Sequence, residues 1–265
     1  MPEGAFQHQF QVEGVYVQVF TGKPTLGAAA AELVAARLRQ AIAGHREANL
    51  ILATGASQYE FLDALRRTEG VDWTRVTAFH LDEYLGLSPQ HPASFRRYLR
   101  ERLFDHLPFG ATHLLEGDAA DPVQECHRYA SLLAGRTVDV ACIGIGENGH
   151  LAFNDPPADL STPDLVHIVS LDEACRRQQV GEGHFATLED VPRQALSLTV
   201  PAILAARTIS CVVPDRRKAE AVRSALEGPI SPLCPASALR QHKDCYLYLD
   251  GDSASLLSSV KGGTP

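Results

Sequence analysis

The chain has 265 residues, 45% hydrophobic and 21% charged, a balance that excludes disordered and fibrous classes and allows a sizeable buried core. Its 24 Lys and Arg against 32 Asp and Glu leave a formal charge of −8, which argues against a nucleic-acid partner because polyanion affinity needs a basic surface. A small anion remains admissible, since a few backbone N–H groups and one cation hold it whatever the net charge.

Along the chain, the start from Met1 to Phe10 lacks the basic and apolar regions of a secretion signal, and no later stretch is long enough to span a bilayer. A cytoplasmic chain without a membrane partner is expected. Apolar or β-branched runs at 15–20, 50–53, 76–79, 138–143, 208–213 and 245–249 predict buried strands. The stretch from Pro24 is rich in helix formers and makes a βαβ unit with the first two runs. A helix is predicted over 59–67, and another from Ser94 places Phe95, Tyr98, Leu99 and Leu103 on one face, with Arg96, Arg97 and Arg100 read as a solvated face. This alternation implies one α/β domain over 1–265: a mainly parallel, doubly wound, Rossmann-like sheet with helices on both faces and ligands beyond the carboxyl ends of its strands. Residues 156–192, bracketed by Pro156, Pro157 and Pro192 around a short helix at 173–180, read as a lid.

The six cysteines are scattered without a C-x-x-C pair and read as reduced, buried thiols. Cys234, His242 and Cys245 lack zinc-site spacing and a fourth ligand, so no metal is expected.

Three loops after predicted strands carry the chemistry. Thr54-Gly-Ala-Ser-Gln precedes a helix, so Gly55 lets backbone approach a ligand, Ser57 is placed to cap, and exposed N–H groups offer an anion seat. In His80-Leu-Asp-Glu-Tyr, Asp82 and Glu83 point to opposite sides of extended chain, so one carboxylate faces the cleft, where it suits a general base. Gly144-Ile-Gly-Glu-Asn-Gly-His-Leu-Ala-Phe-Asn-Asp-Pro-Pro satisfies G-x-G-x-x-G through Gly144, Gly146 and Gly149. Pro156 and Pro157 interrupt the helix that a dinucleotide site needs, and the loop comes late in the chain, which argues against NAD. The same loop gathers Asn148, His150, Asn154 and Asp155, an imidazole with a carboxylate near enough to orient it. With no G-x-S-x-G elbow, a serine hydrolase is unsupported.

The blocks Thr54-Gly-Ala-Ser, Phe79-His-Leu-Asp-Glu-Tyr-Leu-Gly-Leu, His91-Pro-Ala-Ser-Phe, Gly144 to Pro156 and Val213-Pro-Asp-Arg-Arg-Lys-Ala occur in this order from about residue 50 onward. Together they resemble the glucosamine-6-phosphate deaminase (isomerase) family, which shares its fold with 6-phosphogluconolactonases. The resemblance implies a small-molecule sugar phosphate as partner. Its phosphate would sit on Thr54, Gly55, Ala56 and Ser57, with Gly146 beside it and Lys218 adding charge. His150 would open the pyranose ring with Asp155 and Asn148 supporting it, and Asp82 would move the C2 proton to C1. Neither metal nor redox cofactor is implied, and a homo-oligomer is allowed.

Three positions depart from the family pattern. Asn148 replaces an Asp, Asp155 replaces a longer Glu, and Gly181-Glu-Gly-His-Phe stands where the family has an arginine-bearing lid segment, leaving Arg176, Arg177 or His184 to substitute. Two alternatives follow: a sugar-phosphate lactonase in which His150 activates water, and a non-catalytic sugar-phosphate sensor. Retention of Asp82, His150 and Lys218 together ranks the sensor last.

Overall fold

A computed structural model of the chain describes residues 6–181, 183 and 185–261. Its strands are β1 (Phe6–Val12), β2 (Val15–Phe20), β3 (Ala48–Leu52), β4 (Val76–His80), β5 (Asp82–Tyr84), β6 (Ala111–His113), β7 (Val140–Ile143), β8 (Val166–Ser170), β9 (Gln194–Leu198), β10 (Thr208–Val213) and β11 (Cys245–Asp250). Helices are α1 (Lys23–His45), α2 (Tyr59–Arg66), α3 (Phe95–Leu99), α4 (Pro122–Leu133), α5 (Glu173–Gly181), α6 (Val200–Leu204), α7 (Ala219–Glu227) and α8 (Ser258–Lys261).

Eight strands form one sheet in the order β1-β2-β11-β10-β7-β3-β4-β6, parallel throughout except for the β1–β2 hairpin. Every residue of β3, β7 and β10 is buried, as a central parallel strand covered on both faces requires. α1 has Pro24 in its first turn, where a missing N–H costs nothing, and turns Leu26, Ala30, Val34 and Leu38 inward. Two apolar clusters result, one on each face of the sheet. Each fully buried Leu or Val in them contributes roughly 1.5–3 kcal/mol.

A second, three-stranded antiparallel sheet, β5-β9-β8, was not foreseen from sequence. Within 156–192, where a lid is expected, Val166–Ser170 is a strand paired to β9, and Gln178 and Gln179 of α5 line the cleft. The strand signal was weak because Val166-His-Ile-Val-Ser is only partly buried. The strand expected over 138–143 begins at Val140, although the Asp139 N–H still donates to Asn49 O and its carbonyl accepts the Thr208 N–H. Beneath α5, a third cluster packs Tyr84 against Phe95 and Phe153, with ring centroids 4.9 and 5.0 Å away, and includes Cys175 and Phe185.

Arg96 departs from the solvated face expected for it. It is only 5% exposed; its Nε lies 3.2 Å from Glu83 Oε2, and its Nη1 lies 2.8 Å from Asp118. Arg97 does point outward and pairs with Glu101 one turn later. The Glu83 carboxylate is wholly buried and accepts from Tyr84 N, Ser94 Oγ, Phe95 N, and Arg96 N and Nε. Burial pushes the Glu83 carboxyl up, and the Arg96 N–H, the Ser94 hydroxyl and the Arg96 charge act against that rise. Arg96→Ala leaves this buried acid without its cation and should cost about 3–5 kcal/mol. Equilibrium urea unfolding reads that loss; a change within about 0.5 kcal/mol would show the pair to be idle.

Candidate active site

The C-terminal ends of β3, β4, β7 and β10 are adjacent, so the loops leaving them meet above one edge of the sheet. They border a solvent-open cleft lined by Thr54, Gly55, Ala56, Ser57, Asp82, Gly146, His150 and Lys218, with Gln178 and Gln179 of α5 on one side. Two other predicted site residues, Asn148 and Asp155, do not line the cleft. They stand behind His150 and act on it and its loop.

The loop after β3 owes its shape to glycine. Gly55 has φ 96° and ψ 169°, a conformation that strains any residue with a Cβ. A single 3₁₀ turn, Ala56–Gln58, then leads into α2. Among the described residues, nothing accepts from the N–H groups of Gly55, Ala56 or Ser57, which leaves these donors for an anion. Ser57 caps neither the 3₁₀ turn nor α2, contrary to expectation, and lines the cleft instead. Two residues outside the expected set hold the loop. Gln58 is buried, and its Nε2 donates toward Val212 O and Ile143 O at 3.4 and 3.5 Å, tying this turn to the ends of β10 and β7. The Tyr98 hydroxyl donates to Gly55 O at 2.8 Å and draws that carbonyl toward α3.

Asp82 is the carboxylate that faces the cleft, whereas Glu83 turns into the α3 N-terminus, as the alternation of extended chain requires. Asp82 is 6% exposed, and burial, followed by the nearby Glu83 charge, pushes its carboxyl well above the usual range. The preceding His80 is wholly buried. Burial and the Arg96 charge push its imidazole down to about 3, so it stays neutral and structural.

In the glycine loop, His150 Nδ1 lies 3.0 Å from Asp155 Oδ1, so the shorter carboxylate does reach the imidazole. The contact is close but not aligned as a linear hydrogen bond. Burial pushes Asp155 up, but the adjacent His150, the Asn148 amide and the Asp172 N–H outweigh it and hold the carboxyl below its usual value. Asn148 works on both sides of this pair: its Oδ1 accepts the His150 N–H, and its Nδ2 donates to Asp155 Oδ1, each at 3.1 Å. Asn148 therefore fixes loop and carboxylate, and it does not touch the ring. Gly146 is needed for space, because a Cβ there would come within 2.3–2.4 Å of Cε1, Nε2 and Cδ2 of the His150 ring. Asn154, grouped with these residues by sequence, faces the second sheet and donates to Leu198 O at 2.8 Å.

Lys218 enters the cleft from a 3₁₀ turn after β10 and is 2% exposed. The turn starts at Asp215, whose φ of 85° is unfavourable for an L residue. It is held by a 2.6 Å ion pair with Lys23 and by its N–H on the Asp250 carboxylate at 3.1 Å.

The lid supplies no arginine to the cleft. Arg176 donates to Leu188 O and Val191 O within its own segment, and Arg177 pairs with Glu173 on the surface. His184 lies outside the described residues. The lid instead presents Gln179, which is 6% exposed and whose Oε1 accepts the Tyr84 hydroxyl at 2.7 Å, so its amide N–H groups are directed elsewhere. The weakly zinc-like trio does not assemble, because both His242 ring nitrogens are engaged, with Ala206 O and Asp244 N. The six cysteines are all free, and no helix among the described residues is long and apolar enough to cross a membrane.

Residues 22–247 match the family described as glucosamine-6-phosphate isomerases/6-phosphogluconolactonase. A glucosamine-6-phosphate deaminase of Exiguobacterium sibiricum is 41% identical over 224 residues, 83% of this chain and 86% of the relative. One of Bacillus cereus is 38% identical over 209 residues, 79% of this chain and 78% of the relative. A solved monomeric glucosamine-6-phosphate deaminase superposes with a TM-score of 0.84 at 34% identity, covering 91% of this chain and 99% of its own. A 6-phosphogluconolactonase of Shewanella baltica, at 21% identity and a TM-score of 0.76, shares the fold.

The buried Asp82 makes a prediction that is independent of any reaction. Its folded-state pKa lies above its unfolded value, so its ionisation favours the unfolded chain. The associated stability is complete below the usual carboxylate range near 4 and is lost as pH rises through the elevated folded value. Asp82→Asn should therefore raise the melting temperature at neutral pH, with a gain that shrinks as the solution is acidified. An equal or lower melting temperature at neutral pH would show that Asp82 is not strained there.

Proposed function

The chain belongs to the glucosamine-6-phosphate isomerase/6-phosphogluconolactonase family, and from that premise we propose that it converts glucosamine 6-phosphate and water to fructose 6-phosphate and ammonia. The observation that carries the reading is one cleft holding a single buried carboxylate, Asp82, opposite an imidazole backed by Asp155, beside a loop of open N–H donors and Lys218. The curated relatives named as deaminases support the deaminase branch.

In this reading the substrate phosphate sits on Gly55, Ala56 and Ser57 with Lys218 beside it. His150, the cleft-facing member of its pair with Asp155, carries a proton from the anomeric hydroxyl to the ring oxygen and releases the open-chain aldehyde. Asp82 removes the C2 proton, giving an enolamine, and returns it to C1, leaving an imine at C2. Water adds to that imine and ammonia departs. The raised affinity of Asp82 for a proton suits a base that must carry one between adjacent carbons without losing it to solvent. Gln179, fixed by Tyr84, is a neutral donor to a sugar oxygen where the family offers an arginine. The cleft draws all of these groups from one chain, so activity is expected of the monomer. Action in the cytoplasm belongs to the same reading and is supported by the free cysteines.

Purified protein should release ammonia from glucosamine 6-phosphate without added metal or nicotinamide; hydrolysis of phosphogluconolactone with no ammonia would move the chain to the lactonase branch. Asp82→Asn should slow C2-proton exchange by about 10²–10⁴-fold while phosphate binding persists. Wild-type exchange in that variant would remove Asp82 from the base role. The acid limb of kcat/KM should lie above the ordinary carboxylate range near 4, because the base acts ionised and its proton is held tightly. Gly146→Ala should lower kcat roughly 10²-fold in a folded protein by displacing the His150 ring. An unchanged kcat would mean that the ring position is unimportant.

A further inference from the structure

The His150–Asp155 pair has a third neighbour that the reaction does not use. Cys175 projects from α5, and one ligand atom from each of His150, Asp155 and Cys175 lies within 4.8 Å of the others. The three are donors of different kinds, imidazole, carboxylate and thiol, delivered by two separate elements. His150 is 8% exposed, and its buried Nδ1 faces Asp155 Oδ1 at 3.0 Å without an aligned hydrogen bond, so an ion can enter between them. Asp155 is fixed from outside the trio, with the Asp172 N–H on Oδ2 at 3.2 Å and the Asn148 amide on Oδ1. A metal site with a held carboxylate has its outer-shell orientation already supplied.

We propose that His150, Asp155 and Cys175 bind a divalent cation of the zinc class, and that the bound ion switches the site off by occupying the imidazole and carboxylate. Binding proceeds without redox change. The ion accepts the Nδ1 lone pair of a neutral imidazole whose proton sits on Nε2, one carboxylate oxygen, and the thiolate formed when Cys175 releases its proton to solvent. The dication with one carboxylate and one thiolate is electrically neutral, which suits a buried setting. Three protein ligands leave a fourth position, which water fills. Tetrahedral bonds of roughly 2.0–2.3 Å place ligand atoms about 3.3–3.7 Å apart, so the trio, already within 4.8 Å, closes by at most about 1 Å. Because Cys175 lies on α5, that closure draws the helix bearing Gln178 and Gln179 toward the glycine loop.

The inhibitory half of the proposal rests on the deaminase reading, and the binding half does not. Metal-free protein titrated with Co²⁺ should develop a thiolate-to-cobalt charge-transfer band in the near ultraviolet that saturates at one equivalent and is displaced by Zn²⁺. Cys175→Ser should lack the band, and Cys175→Ala serves if the serine variant melts early. Replacing the half-buried Cys234, whose Sγ lies near Gly149, should leave the band in place. Ammonia release should be inhibited by Zn²⁺ and restored by a chelator. Cys175→Ser should keep basal activity within about twofold while needing at least about tenfold more Zn²⁺ for inhibition. No cobalt–thiolate band in the wild-type protein, or zinc inhibition unchanged in Cys175→Ser, overturns the proposal. A band in a protein that releases no ammonia from any amino-sugar phosphate would leave the binding site standing and remove the deaminase reading.

Discussion

The arrangement of the site depends on where one buried carboxylate is satisfied. Glu83 accepts five hydrogen bonds, four of them from the Ser94–Arg96 stretch that begins α3 and one from its own neighbour, Tyr84. A buried acid is tolerated only when its lone pairs are filled, so this cluster fixes the direction of β5. Two consequences reach the cleft. Alternation along β5 turns Asp82 the opposite way, into the site, and anchoring α3 places Tyr98 where its hydroxyl holds Gly55 O. The proposed base and the proposed phosphate loop are thus positioned by a residue that lines neither.

The same economy governs charge. The chain carries a net −8, yet its proposed anion seat needs only backbone donors and Lys218, whose turn is pinned by Lys23 and Asp250 through the strained Asp215. In place of a lid arginine, the structure provides a glutamine fixed by Tyr84. A neutral donor adds geometry without adding charge, so affinity in the proposed reaction rests more heavily on the loop after β3. The shortened carboxylate at 155 is likewise accommodated: Asn148 braces it while also holding the His150 backbone, so one amide serves the reach that a longer side chain would otherwise supply. Cys175 completes the surroundings of that pair and turns an oriented imidazole into a set of donors suited to a metal ion.

The central parallel sheet, the three loops and the opposed directions of Asp82 and Glu83 were legible in the sequence because each follows from a local rule. Continuous apolar runs make buried strands, loops after such strands gather at one edge, and neighbours in extended chain diverge. Arg96 was misread because helical spacing cannot reveal a carboxylate arriving from another element. Arg176 is spent on the carbonyls of Leu188 and Val191, a contact across a turn that residue types alone do not reveal. Ser57 fits a capping pattern, but the 3₁₀ turn begins at Ala56 with Gly55 at its cap position, which places Ser57 inside the turn.

By itself the sequence determined the α/β class, the family and the residue types available for chemistry, since these depend on periodicity, composition and motif order along one chain. Tertiary structure alone decided that Tyr98 and Gln58 hold the loop after β3 and that Cys175 meets the imidazole pair. These are contacts between segments separated by tens of residues, set by how buried polar groups find partners across the sheet and lid, and no local pattern encodes them.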